Sequence, residues 1–408
     1  MSVVFFSKLN LPAPIIMQLQ TLFIIVLLSF AVAQDRKITP KLNPGCASCN
    51  DNTTLVYIKC KGPSDTIHQI WDFTRKLPTV IIAVASLNST LNIIWEGTVP
   101  VRFDISEGPS YSFAAAFDQI YEYDDLDDNG HFDPKFPHHN HKLDHLVWHR
   151  NGSRLTEKDA MVQVYAKLYN ERHREYGTVG IKLDLLPYKD YATELPHLIH
   201  TANSTLFDIS LVNLTTTSGY NASRYALHLI LASTDSVTQT MHYTMRKSLD
   251  DEHTPGVFEV IEIKSPALYN EEVGGYLQFR PVGYVQPERG VASSTVAHVS
   301  CFNRTSLPRY STLRTFFDDY GKANLLVQDM MVSFGEPGDG FYRQHNYTAW
   351  SFSVGYGAPP TENFSWFVVL IISLGLGVPV LLALSGVVYV VFRRHKQTNS
   401  RTRFENED

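Results

Sequence analysis

Short apolar stretches rich in Val, Ile, Tyr and Phe recur along most of the chain, each closed off by turn residues. They fall at 54–59, 80–85, 91–95, 160–168, 179–185, 206–212, 225–231, 257–263, 276–279 and 325–334. Alternation is clean in Val179-Gly180-Ile181-Lys182-Leu183-Asp184-Leu185 and in Val257-Phe258-Glu259-Val260-Ile261-Glu262-Ile263. Successive side chains of a strand point to opposite faces, so such runs make strands with one apolar and one polar face. Repeated this often, they predict an all-β, antiparallel, sandwich-like luminal body. The period changes once. Leu313, Phe316, Phe317 and Tyr320 share a helical face, which predicts a short helix within 308–320. Residues 124–145, acidic and then rich in Pro and His, read as a long surface loop and as a candidate boundary between two β subdomains.

The two ends follow other rules. Lys8, an apolar run at 22–30 and Ala31-Val32-Ala33 make a basic region, a signal-length core and a cleavage site, so residues 1–33 are expected to be a signal peptide. Trp366 to Phe392 is 27 residues without a charge. At about 1.5 Å per residue, a helix of that length crosses a ~30 Å hydrocarbon core. Arg393, Arg394, His395 and Lys396 follow at once, and a basic flank stays on the cytosolic side. The expected plan is a type I membrane protein. A luminal body spans 34–360 and ends on the stalk-like Gly355-Tyr356-Gly357-Ala358-Pro359-Pro360; a juxtamembrane stalk covers 361–365, a transmembrane helix 366–392 and a cytoplasmic tail 393–408. Ser373-x-x-x-Gly377 in the helix is a pair of small residues that allows close approach of a second helix, and so a homodimer.

Composition sharpens this picture. Charged residues make up 19% against 21 Tyr and 23 Phe, which fits a large folded core. The net charge is −6 with basic residues dispersed, so no nucleic-acid footprint is present. Glycosylation sequons stand at Asn52, Asn88, Asn151, Asn203, Asn213, Asn221, Asn303, Asn346 and Asn363, all between the signal and the anchor. Asn363 lies three residues from the helix and is expected to stay bare; the other eight are the expected carriers, and a bulky glycan requires a surface position. Cys46, Cys49, Cys60 and Cys301 in an oxidising lumen read as two structural disulfides of open connectivity, with Cys301 tying a distant segment to the N-terminal cluster.

Candidate chemistry is sparse. Asp125, Asp127, Asn129 and Asp133, with Gly130, match the opening of an EF-hand-type calcium loop. Phe136 stands where the bidentate carboxylate belongs and no helices flank the loop, so a solvated acidic turn is the preferred reading and no metal is assigned. His138, His139, His141 and His145 with Asp144 offer imidazoles to a transition metal, against the plainer reading of a solvated loop. Asp250-Asp251-Glu252-His253 gathers an acid/base set with no nucleophile beside it. The chain has no G-x-S-x-G, H-E-x-x-H, P-loop or G-x-G-x-x-G. No catalytic residue and no cofactor are assigned.

Several segments, in order, resemble the glycosylated lysosomal membrane protein family. They are Ser248-Leu249-Asp250-Asp251-Glu252-His253-Thr254-Pro255-Gly256-Val257-Phe258, Gly275-Tyr276-Leu277-Gln278-Phe279-Arg280-Pro281-Val282 and Phe334-Gly335-Glu336-Pro337-Gly338-Asp339-Gly340. Pro196-His197-Leu198-Ile199-His200-Thr201-Ala202, Trp350-Ser351, Pro359-Pro360 and Gly377-Val378-Pro379 add to them. The resemblance implies a non-enzymatic protein of the lysosomal membrane with its bulk in the lumen. It also implies a partner: a multi-pass transporter of the major facilitator superfamily that exports dipeptides, bound through the luminal domain and shielded from proteases. The tail departs from the family in having neither a tyrosine nor an acidic dileucine sorting signal, so delivery would rest on the partner's signal. A cell-surface receptor or adhesion ectodomain is the alternative that such a tail permits.

Overall fold

The computed structural model describes residues 36–169, 175–188, 190–234, 240–247, 259–267, 270–300, 302–318, 325–361 and 366–404. The signal peptide, Cys301, Asn363, Tyr320 and Asp250–His253 lie outside these residues.

Two antiparallel sheets, of nine and eight strands, face each other; the first includes β8 (His138–Lys142), paired with Gln119–Tyr123 of a longer strand. The first runs β1 (Lys37–Leu42), β2 (Leu55–Lys61), β3 (Asp65–Asp72), β4 (Thr79–Ser86), β7 (Tyr111–Asp124), β15 (Ser223–Ser233), β21 (Leu326–Phe334) and β20 (Ser294–Ser300). The second runs β9 (His149–Leu155), β10 (Ala160–Tyr169), β11 (Glu175–Leu185), β14 (Ser204–Val212), β22 (Tyr347–Tyr356), β18 (Asn270–Phe279), β17 (Glu259–Ala267) and β16 (His242–Lys247). A short β19 (Val282–Tyr284) pairs with both β20 and β22 and so joins the sheets along one side. Two hairpins complete the strands, β5 (Leu91–Glu96) with β6 (Val99–Ile105) and β12 (Asp190–Tyr191) with β13 (Ile199–His200).

The alternation read from the sequence sets which side chains meet between the sheets. Val162, Val164, Val179, Ile181, Leu183, Phe207, Ile209 and Leu211 project inward from the second sheet. They meet Val56, Ile58, Trp71, Val80, Ile82, Leu227, Leu229 and Leu231 from the first. Phe207, Phe352 and Trp350 stack through the middle, with ring centroids 4.8 and 4.6 Å apart. Burying each such side chain contributes roughly 1.5–3 kcal/mol. Hydrogen bonds cross the core between the sheets: Trp71 Nε1 donates to Thr205 Oγ1 at 2.9 Å. The Tyr111 hydroxyl, from the first sheet, donates to the Ser265 carbonyl (2.6 Å) and accepts from Gly275 N (2.8 Å) of the second.

A third, partial layer covers the outer face of the first sheet. There Ile70, Ile81, Ala114, Ala116 and Ile230 pack against Ile93 of the β5–β6 hairpin and against helix α1 (Thr312–Phe317). The helix has the predicted apolar face, with Leu313, Phe316 and Phe317 buried and Ser311 as its N-cap.

Three expectations are corrected. Residues 36–360 form one compact unit without a subdomain boundary, because β7 is a single 14-residue strand that pairs with β4, β8 (His138–Lys142) and β15. The supposed loop at 124–145 therefore contains a strand. Gly355 and Tyr356 close β22 rather than opening a stalk. The anchor is a separate unit: helix α2 runs from Trp366 to Phe404, past the uncharged stretch and through the basic cluster. Its candidate span is Val369–Arg394, 26 residues with apolar side chains exposed all along it.

Candidate functional site

The candidate calcium loop folds around a cation, but the cation is a side chain. Arg224, on β15, places Nε 2.7 Å from Asp125 Oδ2 and Nη2 2.6 Å from Asp128 Oδ1 and 2.8 Å from Asp339 Oδ1. It also donates to the Gly340 carbonyl at 3.0 Å and lies 4.9 Å from the centre of the Phe341 ring. Arg224 and Asp125 are 5% and 1% exposed, so this is a desolvated ion cluster in which each carboxylate needs its partner. Backbone amides finish the pairing: Gly130 N donates to Asp125, Gly338 N to Asp128 and Glu336 N to Asp339. Burial works to lower the pKa of the guanidinium, and Asp339 and Asp128 outweigh it and push it up.

The remaining candidate ligands turn elsewhere. Asn129 Oδ1 accepts from His131 N and Asp133 Oδ1 from Lys135 N, so the candidate set Asp125, Asp127, Asn129 and Asp133 does not converge on one point. The acidic turn is not simply solvated: Asp125 is 1% exposed and spends its charge on Arg224. Among the described residues no group of three or more His, Cys, Asp or Glu is placed to hold a metal ion. That includes the histidine run. His138, His139 and His145 are exposed on or beside β8, His145 pairs with Asp144 at 2.8 Å, and burial lowers the pKa of His141. Sequence reasoning missed Arg224, Asp128 and Asp339. The available signal was an arginine in a strand whose neighbours, Tyr225 to Leu231, are nearly all apolar.

One pair looks catalytic and is not. His68 Nε2 lies 2.8 Å from Ser89 Oγ while its Nδ1 lies 2.8 Å from the Tyr57 hydroxyl. His68 is 0% and Ser89 1% exposed, so no substrate reaches the hydroxyl, and the partner of the imidazole is a phenol rather than a carboxylate. Burial lowers His68 to about 4.

The cysteines also depart from expectation. Cys46 and Cys49 are bonded to each other, whereas Cys60 is a free thiol, 0% exposed on β2. Burial pushes the Cys60 thiol up to about 12. Among the described residues the fold contains one disulfide, and the fourth cysteine, Cys301, lies outside them.

Most of the sequon asparagines stand in turns or at the ends of strands, and Asn151 lies within β9. Asn52, Asn88, Asn151, Asn213, Asn221, Asn303 and Asn346 are exposed, and Asn203 is half-buried with its Oδ1 accepting from Arg36. Asn213 and Asn346 are neighbours, since Asn213 N donates to the Asn346 carbonyl at 2.8 Å. Beside them, on the outer face of β11 and β14, a polar cleft of about 450 Å³ opens between Lys182, Glu194, Asp208, Ser210, Arg289 and Tyr347.

The profile of the glycosylated lysosomal membrane protein family matches residues 54–397. The chain belongs to this family. Relatives from several vertebrates carry the family name. Glycosylated lysosomal membrane protein B of Xenopus laevis is 28% identical over 382 residues, covering 89% of this chain and 91% of its own. Glycosylated lysosomal membrane protein of Homo sapiens is 24% identical over 356 residues, with 84% of each chain covered. As a glycosylated lysosomal membrane protein the chain has a large β body and, among the described residues, one candidate membrane helix, which agrees with a single-pass protein of the lysosomal membrane. The matched region runs through the Arg224 cluster and into α2, so body and anchor both fall within the family match.

Proposed function

We propose that this chain is a non-enzymatic accessory subunit. Its luminal body binds a lysosomal dipeptide transporter of the major facilitator type, stabilises it and protects it from proteolysis. The observation that carries the reading is a sequon-bearing β body tethered to the bilayer by a single helix. A protease must draw an extended segment into its cleft, and backbone already paired in a sheet is withheld from it. Sugars on seven exposed asparagines would cover much of what remains. One helix forms no conduit of its own, so a role in transport has to pass through a multi-pass partner.

The test is removal of the chain from cells, followed by pulse-chase of the major facilitator proteins of the lysosome. One of them is expected to lose half-life and to recover it when the chain is restored. Unchanged half-lives across that set would refute the role.

A further inference from the structure

The polar cleft on the second sheet has a charge pattern that selects its ligand. Its four charged side chains are paired within the wall. Lys182 Nζ lies 2.6 Å from Glu194 Oε1, and Arg289 grips Asp208 with Nη1 and Nη2 each at 2.8 Å. Arg289 spends its remaining capacity on the Leu195 carbonyl (2.9 Å) and Ser351 Oγ (3.1 Å). An ionic ligand would have to break one of these pairs. Ser351 Oγ also donates to Asp208 Oδ1 and Thr193 Oγ1 to Glu194 Oε2. A neutral hydroxyl, which both donates and accepts, can instead use the lone pairs left on Asp208 Oδ2 and Glu194 and the hydroxyls of Ser210 and Tyr347 without breaking these pairs. Volume agrees: about 450 Å³ is within the range of small-ligand sites.

Placement narrows the source. Tyr347, in the wall, directly follows Asn346, and Ser210 lies three residues before Asn213. Both asparagines adopt left-handed turns (φ 54° and 53°) at the same end of β14 and β22, joined by their 2.8 Å backbone hydrogen bond. The stretches that build the rest of the cleft carry no sequon, from 152 to 202 and from 222 to 302. No glycan therefore starts inside it, while two start at its end.

We propose that this cleft is a saccharide-binding site for neutral, hydroxyl-rich sugar. The sugar comes from the glycan on Asn346 or Asn213 of the same chain or from a separate oligosaccharide. The proposal stands apart from the accessory role, since it makes no reference to a transporter.

The experiment uses the full-length glycoprotein in mild detergent. Native glycosidase digestion is followed site by site by mass spectrometry in the wild type and in Ser210→Trp, which fills the cleft from the exposed face of β14. Lys158→Trp, on an exposed turn, is the control. A seated glycan makes release at Asn346 or Asn213 at least several-fold slower than at Asn303 or Asn88, and Ser210→Trp alone removes the difference. In the second arm the enzymatically deglycosylated protein is titrated with the free neutral N-glycan core and read by ligand-observed NMR. Saturation transfer that disappears in Ser210→Trp, with no site protected in the first arm, assigns the site to a separate oligosaccharide. If Ser210→Trp fails to fold, the double change Lys182→Ala with Glu194→Ala takes its place. Uniform release from every site together with no saturation transfer overturns the proposal.

Discussion

Gly130 sits against Gly335 so closely that a Cβ on Gly130 would come within 2.2 Å of the Gly335 carbonyl oxygen. Gly130 also holds φ at +73°, a region that L side chains rarely enter. This contact seats the loop at 335–340 on the turn at 125–130 and brings Asp339 to Arg224. Gly130→Ala is expected to cost several kcal/mol, because backbone must move in addition to the ~1 kcal/mol of strain. Gly97→Ala, at φ +62° with open space around it, carries the strain alone. Chemical denaturation of the two variants separates them; equal losses would mean that the contact is not tight.

Arg224 is expected to be the most sensitive charged residue of the body. Arg224→Met strands Asp125 and Asp339 without a cation and should destabilise by about 3–5 kcal/mol. Asp127→Asn, beside the cluster but outside its ion pairs, should stay within ~0.5 kcal/mol of wild type. Thermal melts read both. A wild-type midpoint for Arg224→Met would remove the ion cluster from the account of stability.

Burial holds His68 and His200 at about 4, well below the ordinary value of 6.5. The unfolded chain takes up protons from about pH 6.5 downward, whereas the folded body refuses them until about pH 4. Each histidine therefore withdraws stability as pH falls through that window, on the order of 3 kcal/mol at its lower end. An acidic lumen lies inside it. Replacing one of them with Gln is expected to flatten the dependence of unfolding free energy on pH by about 1.4 kcal/mol per pH unit between 6 and 4.5. Urea titrations at pH 7, 5.5 and 4.5 give the slopes; parallel slopes for wild type and variant would contradict the assignment.

Cys60 is expected to resist alkylation in the folded protein and to react fully once unfolded, because its thiol is buried and pushed up to about 12. Peptide mapping after iodoacetamide with and without denaturant checks this. Reduction of Cys46–Cys49, which closes a loop of only a few residues, should cost no more than roughly 2 kcal/mol.

The strands with strict alternation were readable, and 179–185 and 206–212 lie within β11 and β14. The longest strand, β7, was not. Its Tyr-Ser-Phe-Ala-Ala-Ala-Phe start is buried on both faces, and its Gln119-Ile120-Tyr121-Glu122 end puts Glu122 at 0% exposure. Glu122 is tolerated there because Thr217 and Ser223 hydrogen-bond its carboxylate, a compensation from 95 and 101 residues away that no local window contains. The Arg224 cluster was hidden for the same reason. Its acidic turn was visible, and its cation lay in a strand almost a hundred positions later. Sequence distance concealed what charge balance required.

The last strand to be synthesised, β22, fills the middle of its sheet, with β14 on one side and β18 on the other. The halves of that sheet made earlier have no common edge to pair with until Tyr356 has emerged, by which point translation is entering the membrane helix. Closure of the body must then follow, not precede, most of its time at the translocon, which leaves every luminal asparagine up to Asn303 on an open chain while the glycosylation machinery is at hand. Even Asn203, half-covered by Arg36 in the finished fold, is accessible during that interval.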